Sequence, residues 1–552
     1  MRLTATATPA IGRTAGSAAA NALAGTGRLL RFALRRDRVR IPIWLAALAL
    51  GSVWTAAAFG DIYPTAAARQ TTAATMNTPA GLAFTGPARY LTDYHYGSIV
   101  SHQLLGFVVV FVGIMTVLLV TRHTRTEEET GRAELIRAAA VGRHAQLAAA
   151  LILAVAVNVA LGILLALGMG ALGLEGMTWE GSLLYGAAYA AVGITFAGVA
   201  AVAVQITAHS RGASGMGIAV VGAAYLIRAA GDSADSALSW ASPIGWVQQT
   251  FPYLDNRWWP LLLNLATAAA LAAIGFALSL RRDLGAGLRA ARRGRPAASR
   301  LLTTPIGFAL RLHRGMLIGF AVGMLLLGAS YGPFLGDIEE MFRDIQVLQD
   351  ALANLGGTTV TDAFIAMVMT VFTIVATIHV VLTTLRPRAE ETSGRAEPVL
   401  ATALSRTRWL ASHLAVALIG GPAMLLLSGL ALAATGAPTT SDPDLFAKTM
   451  AASAAYIPAI WVTAALTVAL AGWLPRATAL AWLYVGYIAV TGYLGMILRL
   501  PTWLTSLSPF SHIPRLPVED FTWPPLLTLT AIAAALITLG LYGFRRRDLE
   551  IK

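Results

Sequence analysis

Arg125-Thr126-Glu127-Glu128-Glu129-Thr130-Gly131-Arg132-Ala133-Glu134 recurs 263 residues later as Arg388-Ala389-Glu390-Glu391-Thr392-Ser393-Gly394-Arg395-Ala396-Glu397. The correspondence runs on without a gap to Arg143 and Arg406, with ten identities in 19 positions. Matches flank it in order on both sides. FALR at 32–35 returns at 308–311, Gly60-Asp61-Ile62 returns as Gly336-Asp337-Ile338, and Ser242-Pro243 returns as Ser508-Pro509. Asp255 pairs with Asp520, and Arg281-Arg282-Asp283-Leu284 pairs with Arg546-Arg547-Asp548-Leu549. Chance supplies one such match, not six in sequence order. The chain is an internal duplication.

Between the matched blocks lie charge-free runs long enough for spans. A hydrocarbon core needs roughly 20 apolar residues as helix. Such runs fall at 41–60, 94–121, 144–174, 181–210, 212–227, 258–280, 315–336, 363–385, 409–441, 449–475, 477–498 and 521–544. The shortest, 212–227, works as a span if Arg228 snorkels to the headgroups, and its partner 477–498 is of full length. The expected fold is all-α and polytopic: twelve transmembrane helices as two parallel six-helix repeats. The divisions are a lead-in and interfacial helix over 1–40, a first repeat over 41–284, an Arg-rich linker over 285–305 and a second repeat over 306–552.

Composition agrees. Of 552 residues, 56% are hydrophobic and 12% charged, and mean hydropathy is +0.65. Soluble domains carry about 25% charge, so a water-facing surface cannot be covered. With both termini inside, the inner segments hold 33 of the 41 Lys and Arg residues, the bias expected of cytoplasmic loops. The net charge of +13 therefore faces anionic lipid and calls for no nucleic acid. Residues 1–27 lack the apolar core of a cleavable signal and read as a flexible cytoplasmic lead-in. Cysteine is absent, which removes thiolate metal sites and Cys nucleophiles. The lysines are Lys448 and Lys552 alone, and neither follows a Gly-rich turn, so this sequence holds no Walker A loop.

Each repeated block puts acids ahead of a central Gly, then an apolar run, then a closing Arg. That order suits a short helix with its dipole complemented, and a short amphipathic helix beside the membrane is expected. A merely solvated loop has no reason to stay alike twice, so the block reads as a docking surface. Residues 28–40 read as a basic interfacial helix or a simple positive-inside anchor, with 305–314 as a weaker twin. Residues 236–258 and 500–523 combine Trp, Pro and Ser before the last span of each repeat, as an aromatic belt or a re-entrant outer gate. Residues 338–352 have the spacing of an outer amphipathic helix. His102 and His379, within spans, read as packing residues.

The pattern E-x-x-G-x-x-E, followed by an apolar run and closed by an Arg nine residues after the last Glu, resembles the coupling-helix region of ABC type-2 exporter permeases. The doubled arrangement, the Leu507-Ser508-Pro509-Phe510-Ser511-His512-Ile513-Pro514 stretch and the Arg-Arg-Asp-Leu end of each repeat resemble the twelve-span, tetronasin-type permeases that export polyketide antibiotics. The likeness covers essentially the whole chain. It implies a permease of the cytoplasmic membrane of a bacterium, served by two copies of a separate ATP-binding subunit that supply ATP and Mg. It also implies that Glu127, Glu128, Gly131, Arg132, Glu134 and Arg143, with Glu390, Glu391, Gly394, Arg395, Glu397 and Arg406, form the contact with those subunits. Pro398 departs from the pattern, standing where the first block has Leu135, so the second helix is expected to start later or bend. The cargo implied is hydrophobic or amphiphilic, and no cofactor is expected in this chain.

Two other classes compete. A proton-coupled major-facilitator carrier also has six plus six parallel spans, but such carriers bury ionisable residues in their spans, and the twelve runs contain no Asp or Glu. A membrane-embedded transferase would want paired outer acids; Asp61 is a feature of the repeat, and Asp442-Pro443-Asp444 is a turn.

Overall fold

In lipid, every backbone N–H and C=O must be satisfied within the segment, so an apolar run becomes a helix. The computed structural model describes residues 22–283, 285–289, 296–336, 338, 359–494 and 501–548. Among these the regular elements are all helical, and eleven helices are long and apolar enough to cross a membrane. The protein is a multi-pass membrane protein. The chain divides into two compact units, Met1–Arg293 and Gly294–Lys552.

In the first unit, α1 (Thr26–Arg36) leads into α2 (Arg40–Ile62). Then come α3 (Gly106–His123), the short α4 (Arg125–Glu129) and α5 (Arg132–Arg137), α6 (Ala145–Ala171), α7 (Trp179–Ile206) and α8 (Ser210–Ser233). A short helix α9 (Pro243–Gln248) precedes the last span, α10 (Pro260–Ser279). The second unit repeats the order with α11 (Pro305–Tyr331), α12 (Val360–Thr384), α13 (Arg386–Thr392), α14 (Ala396–Leu400) and α15 (Arg406–Gly436). It ends with α16 (Ile457–Trp473), α17 (Leu480–Ala489) and α18 (Trp523–Arg546).

Small residues let these helices pack without a large apolar driving force. Gly162 of α6 and Gly186 of α7 face each other, and a Cβ on either would run into the carbonyl oxygen of the other. Val112, Leu161 and Phe196 are fully buried in the first core; Phe372, Leu425 and Ile460 are fully buried in the second.

Three expectations change. The run 212–227, thought short, is a 24-residue helix. Arg228 does not snorkel: it is fully buried, 3.4 Å from Asp232 one turn on and stacked over the Tyr225 ring at 4.4 Å. The helix continues past Arg228 to Ser233 and carries Asp232 with it, so the cation has an anion inside the protein and needs no headgroup. Its partner run 477–498 carries a helix over Leu480–Gly492, and residues 495–500 lie outside the described residues. Finally, 305–314 is no separate interfacial helix, because Pro305–Tyr331 is unbroken, whereas α1 and α2 are separated at 37–39. Of the expected outer helix at 338–352, residues 339–352 lie outside the described residues.

The two Trp/Pro segments share a local cause. Ser242 caps α9 by accepting from the Ile244 and Gly245 amides, with Pro243 in the first turn. Ser508 likewise accepts from the Phe510 amide ahead of a short 3₁₀ turn at Pro509–His512. A Ser cap followed by Pro is a helix-start signal. Residues of the first segment from Ile244 to Tyr253 are largely buried, while Trp258 and Trp259 stay exposed at its rim. Phe251, Tyr253 and Asn256 hold positive φ, a strained backbone fixed by the surrounding packing.

Candidate functional site

Each repeated block folds as helix, glycine, helix. Gly131 (φ +72°) and Gly394 (φ +73°) take the left-handed conformation that ends α4 and α13 and lets α5 and α14 turn away. No neighbour lies within 4 Å of a Cβ built at either, so the glycine is required by backbone conformation alone. The single amphipathic helix expected from the charge order is thus a two-part elbow. Pro398 sits in the first turn of α14, which begins at Ala396 where α5 begins at Arg132; the first turn tolerates proline because its N–H groups lack helical partners.

Two acids of each block point inward. Arg282 donates two hydrogen bonds to the Glu128 carboxylate, at 2.6 and 2.8 Å. Arg547 grips Glu391 in the same way at 2.6 Å twice. These arginines are the second of each Arg-Arg-Asp-Leu motif, so two of the matched sequence blocks are one structural feature. A second cation completes each cluster: Arg125 lies 2.7 Å from Glu128, and Arg388 lies 3.2 Å from Glu391. Side-chain exposures of 4% for Glu128 and 0% for Glu391 put these pairs where water screens little. Arg125 also donates to the carbonyls of Val204 and Ala286, at 2.8 and 3.0 Å, joining the elbow to the end of α7 and the start of the linker.

The other acid of each block is held by the elbow's own arginine. Glu127 lies 3.8 Å from Arg132 and accepts from Arg36. Glu390 accepts from Arg395 at 2.9 Å and from Arg386 at 2.7 Å. At the closing end, Arg143 donates to the carbonyls of Ser279 and Leu280, at 3.3 and 2.8 Å. Arg406 donates to the Arg547 carbonyl at 3.0 Å. Beside Arg143, burial and the adjacent guanidinium hold the His144 imidazole below its ordinary range.

The side chains of Glu127, Glu128, Glu390 and Glu391 are buried against arginines inside the elbow. Cations from other elements reach Glu127, Glu128 and Glu391, while Glu390 is held by Arg386 and Arg395 of its own block. What the elbows expose is Arg132, Glu134 and Leu135 in the first repeat, with Leu135 77% exposed, and Arg395, Glu397 and Pro398 in the second. Arg143 and Arg406 are exposed but spend their donors on helix ends. Sequence reasoning missed Arg282 and Arg547 as members of the site. Their signal was present, since Arg-Arg-Asp-Leu recurs in step with the acids.

The repeats differ beside this common core. In the first, Asp37 receives Arg122 at 3.0 Å and His123 at 2.7 Å, and the Gly142 and His144 amides donate to the Ala24 and Ala22 carbonyls. The leading helix α1 is therefore bound to the elbow at both ends. In the second, His313 replaces Asp37 and meets His413 at 2.9 Å, both buried. His413 lies inside the run 409–441, and the sequence reading passed over it. His102 and His379 are fully buried, as expected of packing residues; His102 touches Thr85 at 2.8 Å and Tyr94 at 3.0 Å. Among the described residues no group of three or more His, Cys, Asp or Glu could hold a metal.

Comparison with known proteins fits this architecture. A family model described as multidrug efflux system permease Rv1217c, C-terminal domain, matches residues 27–278 and 302–545, stretches that fall on the two repeats. The multidrug efflux system permease protein Rv1217c of Mycobacterium tuberculosis (strain ATCC 25618 / H37Rv) is 42% identical over 532 residues, covering 95% of each chain. The chain belongs to the multidrug efflux system permease Rv1217c family.

Proposed function

We propose that this chain is the permease subunit of an ATP-driven ABC exporter, moving hydrophobic or amphiphilic compounds such as antibiotics out of a bacterial cell. Twelve spans, with the helix at Leu480–Gly492 contributing the eleventh in chain order, cross the cytoplasmic membrane, and both termini and both elbows lie inside. The observation that carries the reading is the pair of matched elbows, each braced by buried charge and each presenting a small exposed patch. Such a patch suits one ATP-binding subunit per repeat, and the missing Walker A lysine leaves ATP and Mg to those subunits. Efflux by the relative and the charge-poor spans support a hydrophobic cargo; the tetronasin-type resemblance points to polyketide antibiotics.

The test belongs on the exposed residues. Reversing Glu134 and Glu397 together (Glu134→Arg with Glu397→Arg) is expected to abolish drug-stimulated ATP hydrolysis by the co-purified complex while the permease stays folded. Unchanged stimulation sinks the assignment of the elbows. A proton-coupled carrier is the second reading, and the buried His313–His413 pair is the observation that favours it. Efflux that collapses with a protonophore but resists vanadate would select that reading.

A further inference from the structure

Both ends of each elbow are fastened to one place. In the first repeat Glu128, ahead of Gly131, is gripped by Arg282, and Arg143, behind it, bonds the last carbonyls of α10. In the second, Glu391 and Arg406 both reach Arg547 at the end of α18. A bidentate arginine–carboxylate bridge fixes geometry in a way a point charge does not, and burial makes it costly to open.

We propose that Arg282 and Arg547 are positioning residues that make the last span of each repeat move with its elbow, so that this span carries the elbow's displacement across the membrane. A 20-residue helix such as α10 is a rod of about 30 Å. Its far end is tied in turn. Asn264, one turn into α10, donates to the Pro243 carbonyl at the start of α9, and Thr195 of α7 donates to the Asn264 carbonyl at 3.0 Å. A push at the elbow thus arrives at the Trp/Pro segment 236–258 through contiguous hydrogen-bonded contacts, the kind of network that carries coupling between distant sites. Retention of the acid and of the second arginine of Arg-Arg-Asp-Leu in both repeats follows, since each elbow needs its own rod.

This inference rests on the exporter reading for the source of the push, but its test does not. Because the chain has no cysteine, introduced thiols are unique. Glu128→Cys with Arg282→Cys is to be made in the full chain, expressed in its own host, and efflux of ethidium followed in cells. Before linking, efflux is expected to fall about tenfold, the scale of a lost coupling. Bridging the thiols with bismaleimides of graded length is expected to restore it to near the unmodified chain, because the connection matters and the charge does not. Efflux unaffected by the unlinked pair overturns the proposal. So does a pair shown by peptide mapping to be linked that stays inactive at every linker length, since the bridge must then open during transport. If that pair fails to insert, Arg282→Lys with Arg547→Lys takes its place. Single-point cations hold the elbow less rigidly, so efflux per inserted molecule must drop, and unchanged efflux again overturns it. Failure of any ATP-binding subunit to co-purify counts against the exporter reading alone, and rescue by linking still scores the rod.

Discussion

The two repeats share one device and part company around it. Each elbow is closed by a glutamate, the second arginine of Arg-Arg-Asp-Leu, and a second cation from its own short helix. Next to that, the first repeat binds a separate basic helix through Asp37, Arg36 and backbone bonds. The second runs its leading helix unbroken into the span and sets two histidines where the first has Asp37 and Ala150. The shared part is what both halves must do alike; the divergent part tethers the first elbow to α1 and leaves the second without that tether. The duplicated chain is therefore symmetric in how each elbow is closed and asymmetric in what lies against it.

The comparison can be broken most forcefully at the elbow acids. Glu128→Ala or Glu391→Ala removes one partner of a buried pair and is expected to cost about 3–5 kcal/mol, read as lost thermal stability of the detergent-purified chain. The two costs should agree if the elbows are equivalent. The Arg228–Asp232 pair offers a similar loss in the first repeat. Arg228→Leu should destabilise by about 3–5 kcal/mol, and Arg228→Leu with Asp232→Leu by less than the single change, because the double variant leaves no unpaired buried charge. A double variant worse than the single would show that the hydrogen bond Asp232 accepts from Ser239 at 2.5 Å outweighs the cost of leaving its carboxylate without the arginine.

A smaller effect tests the symmetry of the backbone. Gly131→Ala and Gly394→Ala should each cost about 1–2 kcal/mol, the penalty of left-handed φ for a residue with a Cβ. A cost in one repeat alone would mean that the other elbow changes conformation freely. Asp37→Asn sharpens the asymmetry: it should free α1 from the elbow, raising hydrogen exchange at the amides of Gly142 and His144 while exchange at α13 and α14 stays as it was. The weakest effect lies at the opposite end of the first repeat. There Asp255 is held below the usual carboxylate range, first by its hydrogen bond from Arg89 and then by Arg257. A depressed carboxylate stabilises the fold above its unfolded value near pH 4. That contribution fades as pH falls through the lower folded value. Asp255→Asn should therefore change the melting temperature slightly at pH 7 and not at all near pH 2.

Much of this architecture was legible in the sequence. Length and polarity of the runs give helices because lipid offers no other partner for the backbone, and in-order matches give the duplication whatever the tertiary arrangement. The elbows were located to the residue, since Gly131 and Gly394 sit at the same place in both blocks. What the linear sequence could not supply was direction. Nothing local tells whether Glu128 faces solvent or an arginine 154 residues away, because periodicity reports a helix face and not what packs on it. Arg228 misled for the same reason: a lone arginine at the end of an apolar run looks like a headgroup anchor until the helix is seen to continue to Asp232. Sequence alone determined that the chain is an all-helical, multi-pass membrane protein and that the pattern occurs twice. Only the tertiary structure decided which charges are partners, because burial and long-range pairing set whether an acid is a surface or a clamp.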